Sequence, residues 1–519
     1  MEKIEQFFKK RQNILVALII AAASLAMLVF VYFSTVSPLK AEHHSLSVRV
    51  TLFAATALII PLVSYILIIV FKADRVKTFA VFAIILALLM SFVIPLSCAP
   101  DEWTHFTNAY NYSSILMGKD SVTVDELLII READLANESH DISIDRYDEI
   151  NEGFELFTDN NELTEIPFAI VNSSPFYVYI PQIIGITVGR LLHLGSVPTY
   201  YLARFLNIAL YIALVIIAVK RIPFGKTALM IMSVFPMSLQ QAASVSSDPF
   251  INGMSFVVIA LALELIYSKE RITVKDVIPL IIASVILAPC KLVYFALPFM
   301  TLLIPKEKFD KKTVRIFSRY IVPLFSVAAL VLLQFKNLVG YTDSEPEQTL
   351  VSDVPTYSFS FIFEKPVEFV MMFVRTLKIN AYYYVESMIS SPLGWMQIHV
   401  SELITVIFCI LVLLSLIPIK DKTEKFNVRY TDRLLSAIII AGTASLVILS
   451  MFSAWTPSDF DVIIGVQGRY FLPVLPLIIP IVYSKSLSAT ENVSRWVLFT
   501  AINISMYTAL ISLCTAVKL

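Results

Sequence analysis

Residues 78–105 read TFAVFAIILALLMSFVIPLSCAPDEWTH, and this stretch decides the fold class. No charged residue occurs from Thr78 to Ala99, and about twenty largely apolar residues are what a helix needs to cross a bilayer. The run then breaks abruptly into Pro100, Asp101, Glu102, Trp103, Thr104 and His105. A spanning helix that delivers two carboxylates and an imidazole to a membrane surface is the pattern from which the rest of the chain is read.

Similar apolar runs occur at 14–36, 48–71, 199–219, 225–244, 249–267, 274–289, 291–305, 317–335, 400–419, 433–452, 470–484 and 496–516. Together they predict an all-α polytopic membrane protein, a single integral domain over 1–519, with about 13 spans. Composition agrees: 57% of the 519 residues are hydrophobic, 16% are charged and mean hydropathy is +0.76, whereas soluble domains are about 25% charged. A net charge of −1 gives no support to a nucleic-acid partner. The first run follows Lys3, Lys9, Lys10 and Arg11 and lacks a small-residue cleavage site, so it is expected to be retained as a span. Segment 176–193 is ambiguous, because it carries Pro181, Gly185, Gly189 and Arg190. Treating it as interfacial leaves 26 of the 40 Lys and Arg in short loops on the side of the amino terminus, as the positive-inside rule requires of a cytoplasmic face. On this reading 98–198 and 336–399 are the two long extracytoplasmic loops.

Loop 98–198 is acidic, with 17 Asp or Glu between residues 99 and 175 against Lys119, Arg131 and Arg146. Most of these acids are expected to form a solvated surface. Pro100 to His105 stands apart: Pro100 suits a first helical turn, and helical spacing then puts Asp101, His105, Asn108 and Tyr112 on one face. A carboxylate with an imidazole one turn away suits general-base chemistry or metal binding. The plainer alternative is that Asp101 and Glu102 complement the helix dipole.

A second motif, Ser246-Ser247-Asp248-Pro249, follows a polar run of Gln240, Gln241 and Ser244. Asp before Pro is an ordinary helix start, so Asp248 is expected as an N-cap that also offers its carboxylate to a wet cavity. The third motif, Gly465 to Tyr470, places Arg469 on the side where the charge rule disfavours cations. Arginine there either snorkels or presents a planar fork to a phosphate. Lys291 and Arg204 are weaker cations of the same kind. The aromatic residues Tyr382, Tyr383, Tyr384 and Trp395 either stack on sugar faces or line the membrane interface. Cys98, Cys290, Cys409 and Cys514 have no ligand spacing and are read as packed thiols.

The order Pro-Asp-Glu-x-x-His, Ser-x-Asp and Gln-Gly-Arg-Tyr-Phe-Leu-Pro resembles the bacterial family known as domain of unknown function 2142, over most of residues 90–480. That family in turn is similar to the GT-C superfamily of integral membrane glycosyltransferases. The resemblance implies interfacial helices in the first large outer loop, with Pro175-Phe176-Tyr177 as the start of one. It also implies a catalytic acid at Asp101, with Glu102 beside it and Asp248 as a second acidic position. Two additional spans precede the acidic loop here, so contacts do not transfer span by span.

The expected activity is transfer of a sugar from a polyprenyl-phosphate donor to a cell-wall polysaccharide or teichoic-acid-like acceptor, outside a bacterial plasma membrane. Asp101, Glu102 and His105 are the catalytic candidates; Arg469, Lys291 and Arg204 would bind the donor phosphate; Asp248, Gln467 and Tyr470 would contact substrate. A divalent Mg or Mn ion on Asp101, Glu102 and Asp248 is left open, because residues from separate segments form no fixed ligand spacing. A flippase of lipid-linked saccharide would use similar charges, but near the midplane and often in repeated halves. A polysaccharide ligase or polymerase is the nearer alternative, yet the late outer loop lacks the basic character such enzymes favour. Sugar, acceptor, stereochemistry and oligomeric state are not encoded in any of these motifs.

Overall fold

The computed structural model describes residues 11–160, 162–167, 174–268, 270–343, 348–349, 352–418, 426–484 and 489–519. The basic residues Lys3, Lys9 and Lys10, and parts of the basic stretches at 420–433 and 485–495, lie outside the described residues.

Among the described residues eight helices are long and apolar enough to cross a membrane. They are α1 (Arg11–Leu39), α2 (His44–Val70), α3 (Arg75–Val93), α7 (Ser196–Arg221), α10 (Asp248–Ser268), α13 (Lys312–Gln334), α16 (Tyr430–Ala454) and α18 (Glu491–Ala516). Between them lie α4 (Glu102–Leu116), α5 (Ile144–Glu152) and α6 (Phe176–Leu191) in the first long connection. Further on come α8 (Lys226–Ser233), α9 (Pro236–Ala242), α11 (Val274–Leu287), α12 (Leu292–Leu303), α14 (Pro366–Ile389), α15 (Glu402–Ser415) and α17 (Gly468–Val482). The protein is therefore an all-α polytopic membrane protein, and the bilayer is its main solvent.

Eight of the thirteen apolar runs form helices of spanning length, and the other five are shorter or broken. Run 225–244 is two short helices, α8 and α9, parted before Pro236, whose ring cannot sit inside a helix without losing a hydrogen bond. Runs 274–289, 291–305, 400–419 and 470–484 form α11, α12, α15 and α17, each shorter than the hydrocarbon core at about 1.5 Å rise per residue. Segment 336–399 is not simply a loop. It contains α14, 24 residues long, whose Glu368, Arg375, Lys378 and Glu386 interrupt its apolar character.

Local signals explain the starts of two helices whose far ends lead to the site. Asp74 caps α3, its side chain accepting the Lys77 amide at 2.8 Å. Thr273 and Asp276 form a capping box on α11. In the acidic connection, β1 (Leu128–Arg131) pairs antiparallel with β2 (Leu163–Ile166), and Arg131 is clamped to the fully buried Asp134 at 2.9 Å. Helix α6 lies against α7 through Gly185, where an added Cβ would come within 2.7 Å of the Ala203 backbone.

Candidate functional site

Four segments meet where α3 gives way to α4. Helix α4 begins at Glu102, not at Pro100, because Asp101 adopts left-handed backbone geometry, φ +60°. Asp and Asn tolerate that region better than most residues, though still at a strain. One consequence is that Asp101 and Glu102, adjacent in sequence, diverge. Asp101 is 60% exposed, while Glu102 is fully buried.

Glu102 faces Arg204 of α7, also fully buried, in a two-pronged ion pair with Nη2–Oε2 2.7 Å and Nε–Oε1 2.8 Å. Arg204 gives its other N–H groups to the carbonyls of Ser91, Ile94 and Pro95, each at 2.8 Å. All five guanidinium donors are thus engaged inside the protein. The two residues expected to act as a catalytic neighbour and a phosphate ligand are instead a buried brace. Glu102 Oε1 also accepts the Val245 amide at 2.8 Å, three residues before Asp248. The brace fixes the backbone beside both candidate acids.

Asp248 is not the N-cap of α10; Ser247 holds that position. Its carboxylate accepts from Lys291 Nζ at 3.1 Å, Gln241 Nε2 at 2.9 Å and Arg469 Nη1 at 3.5 Å. Asn252 in turn donates to Gln241 Oε1 at 2.8 Å and so orients the amide toward the acid. The polar run Gln240, Gln241 and Ser244 is therefore buried and bonded to protein. Gln240 accepts the Gly394 amide at 2.7 Å, and Ser244 donates to the Gln241 carbonyl at 2.8 Å.

Arg469 joins the two acids. Its Nη2 lies 3.2 Å from Asp101 Oδ2 while Nη1 reaches Asp248. The side chain is only 7% exposed, and its Nε–H has no hydrogen-bond partner among the described residues. Such a buried donor calls for an explanation. The cations share an aromatic wall: Lys291 Nζ is 5.3 Å and Arg469 Cζ 5.2 Å from the Tyr470 ring centre. Gln467, Pro100, Gln240 and Tyr383 line a cavity of about 10 Å³ beside Arg469, roughly the room one water requires.

Arg469 owes its depth to Gly468. A Cβ there would lie 1.9 Å from the Tyr384 carbonyl of α14, so only glycine permits the two backbones to meet. The Gly468 amide donates to Ser387 Oγ at 2.9 Å and locks the contact. Of the aromatic candidates on this segment, Tyr384 packs on Phe471 with centroids 5.8 Å apart, and Trp395 stacks on His140 at 4.9 Å.

His105 lies one turn into α4, with Nδ1 2.7 Å from the Tyr179 hydroxyl. Burial lowers its pKa to about 4; Asp248 and Asp101 oppose that shift, whereas Lys291 and Arg469 add to it. His105 is thus a neutral imidazole at pH 7. Burial likewise pushes the Cys98 thiol up to about 12, consistent with a packed thiol. Among the described residues no three His, Cys, Asp or Glu side chains form a metal-binding group. Of the set Asp101, Glu102 and Asp248, Glu102 is bound to Arg204 and turned away, so these residues do not fit a shared Mg or Mn ion.

The residue order that shapes this site can be compared with known families. The DUF2142 pattern, described as a predicted membrane protein, matches residues 84–478. The chain belongs to the DUF2142 family. The matched range of this DUF2142 protein runs from within α3 to α17 and contains every residue of the cluster. No curated protein and no solved structure matches the chain. Sequence reasoning had named Asp101, His105, Asp248, Lys291 and Arg469, and these come together. It missed Tyr179 and Asn252, which lie on apolar helices without a motif, and it left Gln241 unassigned within a polar run.

Proposed function

We propose that this DUF2142 protein transfers a sugar from a polyprenyl-phosphate donor to a cell-envelope glycopolymer, in the manner of GT-C glycosyltransferases, on the extracytoplasmic side. The observation that carries the reading is Arg469: a buried guanidinium between two carboxylates, with Lys291 near and one N–H unpartnered. That arrangement suits a site where an anionic leaving group arrives and departs.

In this reading the donor phosphate takes the Nε–H of Arg469 and the Lys291 ammonium and loosens Arg469 from Asp101. Asp101, exposed and freed, accepts the proton of an acceptor hydroxyl. The hydroxyl oxygen attacks the anomeric carbon, the bond from that carbon to the phosphate oxygen breaks, and polyprenyl phosphate leaves with the electron pair. Asp248, held by Gln241, keeps the two cations in place. His105, neutral, orients the acceptor through a hydrogen bond, and Gln467 and Tyr470 border the sugar. No step is assigned to a metal.

The test is transfer of labelled sugar from polyprenyl-phosphate donor to envelope acceptor by purified wild type and Asp101→Asn, with and without chelator. Asparagine preserves the left-handed backbone, so the variant is expected to fold and bind donor while transfer falls by about 10²–10⁴. Full transfer by Asp101→Asn would reject Asp101 as the base. Absence of transfer by wild type, with movement of lipid-linked sugar across vesicles, would replace the enzyme with a flippase.

A further inference from the structure

Away from the charged cluster, a groove of about 600 Å³ opens between α2, α3, α7 and the α5 segment of the acidic connection. None of its lining residues belongs to the cluster around Arg469. Its volume falls within the roughly 300–1,000 Å³ of small-molecule sites. Its wall is graded. Phe92, Val197, Leu202 and Phe205 form an apolar trough along α3 and α7, while Arg49 and Asn151 stand at the end nearest α5.

Arg49 is the informative residue. It sits in the second turn of α2, its Nη2 donates to Asn151 Oδ1, and its guanidinium lies 5.4 Å from the Tyr147 ring centre. It has no carboxylate partner among the described residues. Of the four acids of α5, Asp148 is bonded to His43 at 2.5 Å and Glu149 to Arg146 at 3.0 Å, while Asp145 and Glu152 are exposed and form no ion pair with Arg49 among the described residues. Donors on a planar fork therefore remain for an outside anion. Val197 lies in the first turn of α7 and Phe92 next to the last residue of α3, so Arg49 stands at the level where spans end and headgroups begin.

We propose that this groove binds a bilayer phospholipid with an anionic headgroup, its phosphate on Arg49 and an acyl chain along Phe92, Leu202 and Phe205. The charge at one end and the apolar trough at the other match such a lipid in both chemistry and orientation. A lipid seated there touches the acidic connection through Asn151 and Phe154 and the spans through α3 and α7, so it ties that connection to the membrane body. The inference stands whether or not the protein transfers sugar.

The test is equilibrium binding of tail-labelled phosphatidylglycerol to the full chain in detergent micelles, competed by unlabelled phosphatidylglycerol, phosphatidylcholine or undecaprenyl phosphate. Wild type is expected to show one saturable site that prefers phosphatidylglycerol over phosphatidylcholine by about tenfold, the scale of one charge-assisted hydrogen bond. Arg49→Gln is expected to abolish the preference, and Leu202→Trp, which fills the trough, to abolish saturable binding. If Leu202→Trp fails to fold, the Arg49 arm and the competitor ranking decide. Equal affinities in wild type, or a saturable site untouched by the variants, would overturn the proposal. Preferential displacement by undecaprenyl phosphate would overturn it in favour of a carrier-lipid site.

Discussion

Replacing Glu102 by glutamine is the sharpest test of how the site is held. The substitution keeps volume and one acceptor oxygen but removes the charge that balances Arg204, whose five N–H groups are all engaged without solvent. Three carbonyl contacts remain, yet the guanidinium becomes an uncompensated buried charge. Breaking a buried pair from one side costs about 3–5 kcal/mol, equivalent to a fall of about 10²–10⁴ in the folded-to-unfolded ratio. The assay is a denaturant titration of wild type, Glu102→Gln, Arg204→Met and the double variant in mixed micelles. Because the double variant removes both charges, it is expected to be more stable than the sum of the single effects by at least about 1 kcal/mol. If Glu102→Gln unfolds with wild type and the cycle is additive, the brace does not hold the site. A Glu102→Gln protein of full stability but no transfer would return Glu102 to the catalytic candidates.

Three further outcomes are expected. Arg469→Lys keeps a charge but lacks the fork that spans Asp101 and Asp248, so transfer is expected to fall by about 10²–10³ with donor binding weakened, read by steady-state kinetics. His105, with its pKa lowered to about 4 from about 6.5 in the unfolded chain, binds fewer protons folded than unfolded between those values. Its contribution to stability is therefore complete above about pH 6.5 and lost as pH falls toward 4, and melts of wild type against His105→Gln should diverge within that window. Gly468→Ala places a Cβ against the Tyr384 carbonyl backbone, and a lower melting temperature with loss of transfer is expected; normal values for both would refute the close approach.

Much of the architecture is legible because bilayer solvation imposes long apolar runs, and eight of these became helices of spanning length. What escaped depends on partners far apart in sequence. Arg204 and Glu102 are separated by 102 positions, and a cation early in an apolar helix reads equally as ligand or brace until its partner is known. Asp248 looked like a cap because Asp-Pro commonly starts helices, yet its carboxylate is drawn to Lys291 and Arg469 by stronger charge-assisted bonds. Helix α14 is hard to see in the sequence because mixed charges and aromatics hide a helix that packs one face only. Arg469 stands out because the charge rule disfavours a cation there, and Asp101 because it follows directly on an uncharged run of spanning length.

The backbone contact at Gly468 gives the two walls of the site different mechanical character. Arg469 hangs from a main chain pressed directly against α14, with no flexible side chain between to yield. Asp101 projects from a single strained residue into solvent. Under the proposed transfer, a donor would meet a stiff anvil on the cationic side and a pliant finger on the acidic side. Discrimination among anionic headgroups would then be intolerant of small changes in size, while many different hydroxyl partners could be accommodated opposite.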